Sequence, residues 1–271
     1  MKHIPHTWVI LFLCISTFCQ SANTKTISVF STAMNKSIPV IVITPDYTKN
    51  QKLNSVYILH GYSGNPTRTL EQDIPTLSKR ADIDHTIFIL PDGNFSSWYV
   101  NSPIESSSQY ETFIGQELVD YIDNHFPTHN DKNKRGLLGW SMGGYGTLLI
   151  GSEYQNTFGI IGSMCGALDF RPFIKDYQVD KVLGQDGFVW EQYVIANRIS
   201  FFKNTQQKII IDCGTEDPLI DQNRQFHQSL LNNKIPHEYI ERPGGHTAAY
   251  WSNAAITQLN YFIEFFNKKW P

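Results

Sequence analysis

The sequence predicts an α/β fold in which helices cover both faces of a mostly parallel sheet of about eight strands. Short β-branched runs alternate with longer mixed stretches along the 271 residues, which is the pattern expected of such a sheet. The runs at 56–59 and 86–90 are continuously apolar, as in strands buried on both faces. With 41% hydrophobic and 17% charged residues, the composition excludes a largely disordered, collagen-like or coiled-coil chain.

The predicted strands and helices follow one another along the whole chain after residue 26. Strands are expected at 27–31, 38–44, 56–59, 86–90, 134–138, 159–164, 208–211 and 238–241. The turn at Asn35-Lys36 makes the first two an antiparallel pair. Helices are expected where apolar residues recur at helical spacing, at 110–126, 224–232 and 254–267. Residues 170–205 fit no strand pattern, and we expect an insertion over the C-terminal edge of the sheet, where pockets of such folds lie.

The N-terminus is typical of a secretory signal peptide. Lys2 precedes a short apolar run at 8–18, and small residues follow, with cleavage expected near 21–22. The run is too short to span a membrane, so no stable membrane insertion is expected after cleavage. A buried N-terminal strand is the alternative. We predict a signal peptide at 1–22, a single domain at 23–271, and export to the periplasm or out of the cell.

The charge balance gives little support for nucleic-acid binding. Lys and Arg total 22, Asp and Glu total 25, and the formal net charge is −3. No block of like charges is present to grip a phosphate backbone. Aromatic residues make up 13% of the chain, which suits both a large core and a pocket for flat or sugar-like groups. We therefore expect a small-molecule or saccharide partner and no nucleic acid.

Two cysteines, Cys165 and Cys213, lie outside the predicted signal peptide. They are far apart in sequence and have no Cys-x-x-Cys spacing, so neither a disulfide framework nor a metal site is indicated. Both lie in apolar, strand-like segments. We expect two buried free thiols.

The most informative motif is Gly139-Trp140-Ser141-Met142-Gly143, a Gly-x-Ser-x-Gly pentapeptide between a predicted strand and a predicted helix. This is the context of a nucleophile elbow, in which glycines let the backbone bend sharply and hold the serine outward. Ser141 is therefore the candidate nucleophile. A glycine-rich packing turn is the alternative.

A serine nucleophile needs a base that a third group orients, and in elbow-bearing folds the chain order is serine, acid, histidine. Three histidines follow Ser141, namely His227, His237 and His246. His246 lies in a loop between the last predicted strand and the last predicted helix, from which it could reach the elbow. We favour His246, with His237 as the main alternative.

The orienting acid is expected in the loop that follows the seventh strand. Asp217 is best placed there, and Glu216 and Asp221 are its rivals. Asp221 could instead cap the next helix. Asp212 precedes this loop and still belongs to the predicted strand.

Two backbone N–H groups are expected to stabilise a developing negative charge on the substrate. One belongs to Met142, the residue after the nucleophile. The other is that of Tyr62, because His60-Gly61 lets the chain turn tightly after the third strand. His60 precedes the nucleophile, so we expect it to make a structural hydrogen bond.

Taken together, four motifs resemble the esterase D-like family of α/β-hydrolases. They cover residues 59–64, 139–144, 212–217 and 242–246. The likeness extends over nearly all of 27–268 and implies an α/β-hydrolase fold. By position it implies Ser141 as nucleophile, His246 as base and Asp217 as acid. It also implies that the amides of Tyr62 and Met142 form the oxyanion hole.

The resemblance further implies a serine carboxylesterase acting on short acyl esters, including acetylated or feruloylated sugars, and the predicted signal peptide makes it an exported one. The alternatives are a thioesterase of the S-formylglutathione type, an acyltransferase, and a catalytically inactive binding module. The expected chemistry needs no metal and no organic cofactor. Trp98, Tyr99, Trp140 and Trp251 lie near the motif loops and are candidate substrate contacts, with core packing as the alternative. The oligomeric state is not indicated.

Overall fold

The computed structural model describes residues 22–203 and 205–269, so the predicted signal peptide before Ala22 lies outside the described residues. The described part contains eight strands. They are β1 (Asn23–Ser31), β2 (Lys36–Thr44), β3 (Asn54–Leu59), β4 (Thr86–Pro91), β5 (Arg135–Trp140), β6 (Ile160–Met164), β7 (Lys208–Gly214) and β8 (Glu238–Arg242).

All eight strands belong to one sheet in the order β1-β2-β4-β3-β5-β6-β7-β8. The β1–β2 and β2–β4 pairs are antiparallel, and every other neighbouring pair is parallel. The structure therefore confirms the predicted α/β fold with a mostly parallel sheet of eight strands. Because β3, β5, β6, β7 and β8 run in the same direction, the loops at their carboxyl ends meet at one edge of the sheet.

Nine α-helical segments occur in the described residues. They are α1 (Pro66–Arg68), α2 (Leu77–Asp84), α3 (Tyr110–Thr112), α4 (Leu118–His125), α5 (Met142–Glu153), α6 (Val179–Leu183), α7 (Gly187–Tyr193), α8 (Ile220–Asn232) and α9 (Ala248–Phe266). A π-helical segment follows α1 at Thr69–Asp73, and another joins α3 to α4 at Phe113–Glu117. The helix predicted at 110–126 is thus one helical stretch with a π segment inside it.

The last helix begins earlier than its apolar pattern predicts, at Ala248 rather than residue 254. The reason is a cap: the Thr247 hydroxyl accepts a hydrogen bond from the backbone N–H of Tyr250 and satisfies one of the free donors of the first turn. The cap also fixes the end of the β8–α9 loop directly after His246.

Side chains from adjacent positions of the central strands enter two separate cores. Leu137 belongs to the core beneath α4, α5 and α8, whereas Leu138 belongs to the core beneath α2 and α9. This alternation is the period of two expected of strands. Because both faces are covered, every residue of β5 is buried, which explains why the central strands are continuously apolar.

Residues 170–205 contain no strand where they are described, as expected. They form 3₁₀ turns at Arg171–Phe173 and Ile195–Phe202, with α6 and α7 between them. The segment is tied to the body of the domain by the Trp98 indole N–H, which donates to the Tyr177 carbonyl at 2.9 Å. None of the described helices has the length and apolarity needed to cross a membrane.

Candidate active site

Ser141 occupies a strained turn between β5 and α5, with φ 56° and ψ −121°. A positive φ is uncommon for a residue other than glycine, and such strain persists only where the surroundings enforce it. Here the Ser141 N–H donates to the Met164 carbonyl at 3.0 Å. Its carbonyl accepts from the amides of Tyr145 at 3.0 Å and Ala167 at 3.2 Å. These three bonds hold the serine at the carboxyl edge of the sheet.

Glycines on either side make the turn sterically possible. A Cβ on Gly139 would lie 2.4 Å from the Gly143 carbonyl oxygen, and one on Gly143 would lie 2.0 Å from the Leu59 carbonyl oxygen. Both distances are far below van der Waals contact. The spacing of the Gly-x-Ser-x-Gly motif therefore reflects the packing of α5 against β3 and β5.

The structure brings the three predicted site residues together. His246 Nε2 lies 2.9 Å from Ser141 Oγ, and His246 Nδ1 lies 2.7 Å from Asp217 Oδ2. Asp217 is almost fully buried at 2% exposure, in the loop after β7, whereas His246 is partly exposed in the loop after β8. Each residue follows a different parallel strand, which is why their side chains meet at one edge.

Charge and hydrogen bonding favour an ionised Asp217. Burial by itself would raise the pKa of this carboxyl, but the bonds from His246 and from the Leu219 N–H, at 2.9 Å, outweigh it and lower the pKa. Burial likewise acts to lower the pKa of His246, and the Asp217 carboxylate reverses this and raises it above 6.5. The anionic carboxylate accepts Nδ1–H, so Nε2 is the nitrogen that can accept the Ser141 proton.

The alternative bases and acids lie elsewhere. His227 and His237 contact each other, with Nδ1 of the first 2.7 Å from Nε2 of the second, and they do not reach Ser141. The Asp221 side chain is 83% exposed. Asp212 is fully buried and accepts from Tyr250 and Arg242 instead.

The loop after β3 packs directly against the nucleophile. A Cβ on Gly61 would lie 3.3 Å from the Cβ of Ser141, a tight contact that glycine avoids. Among the described residues, no group accepts a hydrogen bond from the N–H of Tyr62 or of Met142. Both residues line the pocket described below, and their N–H groups are free to donate to a bound oxygen.

His60 makes the structural hydrogen bonds expected of it. Its Nδ1 lies 2.8 Å from the Gly61 carbonyl, and its Nε2 accepts from the Gly93 N–H at 2.8 Å. The buried imidazole therefore ties the β3 loop to the loop after β4. It does not border the pocket.

A pocket of about 470 Å³ opens above Ser141 and His246. Its wall includes six aromatic residues, which are Trp98, Trp140, Trp251, Tyr62, Phe173 and Tyr177. Trp251 also packs edge-on against the His246 ring, with centroids 5.1 Å apart. Three of the four predicted substrate contacts, Trp98, Trp140 and Trp251, thus lie in the pocket wall.

Tyr99, the fourth predicted substrate contact, does not line this pocket, and core packing, the alternative, describes it. It is fully buried, and its hydroxyl donates to the His60 carbonyl at 3.0 Å. Its ring fills the space beside Gly93, where a Cβ would come within 2.4 Å. Trp98 and Tyr99 both have positive φ, 52° and 54°. Trp98 lines the pocket and Tyr99 does not, and neither strand nor helix periodicity predicts this difference.

Several pocket residues were not predicted from the sequence. Phe173 and Tyr177 come from the irregular segment 170–205, and Arg68 and Asp73 come from the helical segments after β3. Arg68 Nε lies 3.5 Å from Asp73 Oδ2. None of these residues belongs to a recognisable motif. Only the expected insertion over the sheet edge indicated where Phe173 and Tyr177 would lie.

The sequence of this domain is similar to those of known esterases. Residues 31–262 match the model of the family described as Putative esterase. An acetyl esterase of Caldicellulosiruptor saccharolyticus is 27% identical over 254 residues, which cover 83% of this chain and 92% of that protein.

Solved structures share the fold. The fluorophosphonate-binding serine hydrolase FphF of Staphylococcus aureus matches with a TM-score of 0.80 and 21% identity over 90% of this chain and 99% of its own. An S-formylglutathione hydrolase, FrmB, of the same organism matches with a TM-score of 0.76 and 20% identity over 89% of this chain and 99% of its own. Both likenesses extend over almost the whole domain.

Proposed function

The chain belongs to this esterase family and is a carboxylesterase, and from that premise we propose that it hydrolyses esters through an acyl-enzyme on Ser141. The observation that carries the proposal is the continuous hydrogen-bonded series Asp217–His246–Ser141 at a strained elbow. A serine hydroxyl is a weak nucleophile unless a base removes its proton. Here the base and the group that orients it are both within hydrogen-bond distance.

In the first half of the reaction, Ser141 Oγ attacks the ester carbonyl carbon while His246 Nε2 takes its proton. Asp217 stays anionic and stabilises the imidazolium that forms. His246 then gives the proton to the oxygen of the leaving alcohol, and the C–O bond breaks. In the second half, water attacks the acyl-enzyme by the same route and restores Ser141.

The tetrahedral intermediate of each half carries a negative oxygen that needs hydrogen-bond donors. We assign this role to the N–H groups of Tyr62 and Met142. Both lie beside Ser141, and both are backbone groups held by glycine-dependent turns. Removing one such donor costs roughly 10²- to 10³-fold in kcat in serine proteases, so the β3 loop and the elbow contribute to catalysis in addition to the triad side chains.

For the substrate, we propose short acyl esters, including acetylated or feruloylated sugars. The aromatic wall supports this class because flat phenolic and sugar rings stack on such surfaces. The name of the acetyl esterase relative supports a small acyl group. Hydrolysis of S-formylglutathione and acyl transfer to an alcohol are the competing possibilities.

We also propose that the protein is exported, on the basis of Lys2 and the apolar run at 8–18. Export favours ester substrates over glutathione thioesters because glutathione chemistry belongs to the reducing cytosol. Edman sequencing of the protein recovered from outside the cytoplasm would test this. A new N-terminus near residue 23 is expected, whereas an intact Met1 in a cytosolic protein would contradict export.

The substrate proposal is tested by measuring kcat/KM of the purified protein on acetylated and feruloylated sugars, S-formylglutathione and a long-chain triglyceride. We expect the sugar esters to give the highest values and the triglyceride the lowest. An excess of glycerol or methanol in the same assay detects acyl transfer as a new ester product. A clear preference for S-formylglutathione would overturn the substrate proposal and leave the acyl-enzyme mechanism intact.

A further inference from the structure

Two buried thiols meet the Asp217 carboxylate beneath His246. Cys165 directly follows β6, Cys213 lies in β7, and both are free cysteines. Met164 pairs with Asp212, and the Cys165 N–H donates to the Asp212 carbonyl at 2.7 Å. The parallel ladder therefore places the two cysteines side by side.

The three groups are close enough to bind one ion. The two sulfur atoms and a carboxylate oxygen of Asp217 all lie within 4.8 Å of one another. His246 Nδ1 donates its proton to the same carboxylate, 2.7 Å from Asp217 Oδ2, and does not belong to this group of three. Two thiolates and a carboxylate are ligands that Zn²⁺ binds in tetrahedral sites, whereas Mg²⁺ and Ca²⁺ prefer oxygen alone.

We propose that Cys165, Cys213 and Asp217 form a binding site for a thiophilic divalent cation of the Zn²⁺ class, and that the bound ion inhibits the enzyme. Inhibition follows because a carboxylate that ligates the ion no longer orients His246. The inhibitory part rests on the proposed function. The binding part rests only on the positions of the donor atoms.

Burial and a neighbouring thiol keep the proton on one of the two sulfurs. The contact with Cys213 and burial both raise the pKa of Cys165. Binding of an ion releases thiol protons to solvent as two metal–sulfur bonds form. His246 is partly exposed and borders the pocket, so an ion that enters from the pocket must pass the imidazole to reach the buried sulfurs.

The test uses the full-length protein as purified, freed of metal and kept reduced with a phosphine. Hydrolysis of p-nitrophenyl acetate is measured as Zn²⁺ is added, and Co²⁺ is added to a second sample to record thiolate-to-cobalt absorption. We expect one ion per chain and a loss of activity approaching that of Asp217→Asn. Ca²⁺ at equal concentration should leave the activity unchanged.

Three variants separate this site from other metal contacts. Cys165→Ser, which keeps the side-chain volume, and Cys213→Ala are compared with His227→Ala, which removes half of the surface His227–His237 pair. Each variant is compared with its own activity in the absence of metal. We expect both cysteine variants to reduce the thiolate absorption and to raise the Zn²⁺ concentration that gives half inhibition by at least about tenfold, the weakening seen when a supporting metal contact is removed. His227→Ala should leave both unchanged.

Undiminished Zn²⁺ inhibition in both cysteine variants would overturn the proposal, as would the absence of thiolate-to-cobalt absorption in the wild-type protein. Thiolate absorption with unchanged activity would overturn the assignment of Asp217 as a ligand. Failure of the proposed function would look different, because Ser141→Ala would then hydrolyse esters normally while the cobalt spectrum still reported the site.

Discussion

Asp217 Oδ2 lies 2.7 Å from His246 Nδ1, and this contact decides which ring nitrogen faces the nucleophile. The carboxylate accepts Nδ1–H, so Nε2 is left without a proton and lies 2.9 Å from Ser141 Oγ. The backbone supports the arrangement from both ends, because the Leu219 N–H donates to Asp217 and Thr247 caps α9 directly after His246. The contact thus orients the base before any substrate is bound.

Asp217→Asn is expected to lower kcat by roughly 10⁴-fold, because an amide in this position favours the wrong tautomer of the base. The matched control is Asp221→Asn, which removes the same charge from an exposed position two residues into α8. Steady-state kinetics of both variants on one ester would make the comparison. A larger loss for Asp221→Asn would contradict the assignment of the acid.

The pH dependence of kcat/KM should follow the ionisation of His246. Only the neutral imidazole accepts the Ser141 proton, and Asp217 raises the pKa of His246 above 6.5 against the effect of burial. Activity is therefore expected to fall as pH decreases, along a one-proton curve with its midpoint above 6.5. A profile that stays flat down to pH 5 would rule out His246 as the base.

Gly143→Ala is expected to disrupt the elbow. Its Cβ would meet the Leu59 carbonyl oxygen at 2.0 Å, so either α5 or β3 must move. We expect the free energy of unfolding to decrease by about 1–3 kcal/mol because the site is overpacked. We also expect kcat/KM to decrease by at least roughly 100-fold, the effect of displacing catalytic groups by about an ångström.

Gly187→Ala is the control for this change, because the nearest neighbour of its Cβ is 3.8 Å away in the first turn of α7. Urea denaturation and ester hydrolysis are measured for both variants. Equal, small effects at the two positions would show that the close packing of the elbow is not required.

The catalytic residues could be predicted from the sequence because each lies in a short motif or directly after a predicted strand. Ser141 is marked by glycines that the turn requires, and His246 and Asp217 by their positions after successive parallel strands. The pocket wall was less predictable, because Phe173 and Tyr177 come from a segment without period or motif. The prediction of Tyr99 as a substrate contact is wrong because the residue is buried beside Gly93. Its direction depends on two successive positive φ angles, which cannot be predicted from residue types.

The same limit applies to the thiols. Cys165 and Cys213 have no metal-binding spacing, and only the register of β6 with β7 brings them together beside Asp217. Pairing between strands joins residues that are far apart in sequence. A spacing rule can detect metal ligands within one loop but not across two strands.

Phe173→Ala should enlarge the aromatic pocket and weaken the binding of aromatic acyl groups. Phe173 stacks on Trp98 with ring centroids 6.2 Å apart and lines the pocket. We expect the KM for a feruloyl ester to rise by roughly tenfold, the effect of losing about 1.4 kcal/mol of ring contact, with a smaller change for an acetyl ester. Phe188→Ala, at a residue 75% exposed, is the control, and equal effects of the two variants would contradict this role.

The most direct test of the central claim is the reaction of a fluorophosphonate probe with the wild-type protein, Ser141→Ala and the exposed control Ser107→Ala. Peptide mass spectrometry and hydrolysis of p-nitrophenyl acetate are read on the same samples, with thermal unfolding to verify the fold. We predict one label per chain, on Ser141, in the wild-type and Ser107→Ala proteins. In folded Ser141→Ala, we predict no label and a kcat lower by roughly 10⁴- to 10⁶-fold. Wild-type turnover by folded Ser141→Ala, or a label on another serine, would contradict the account.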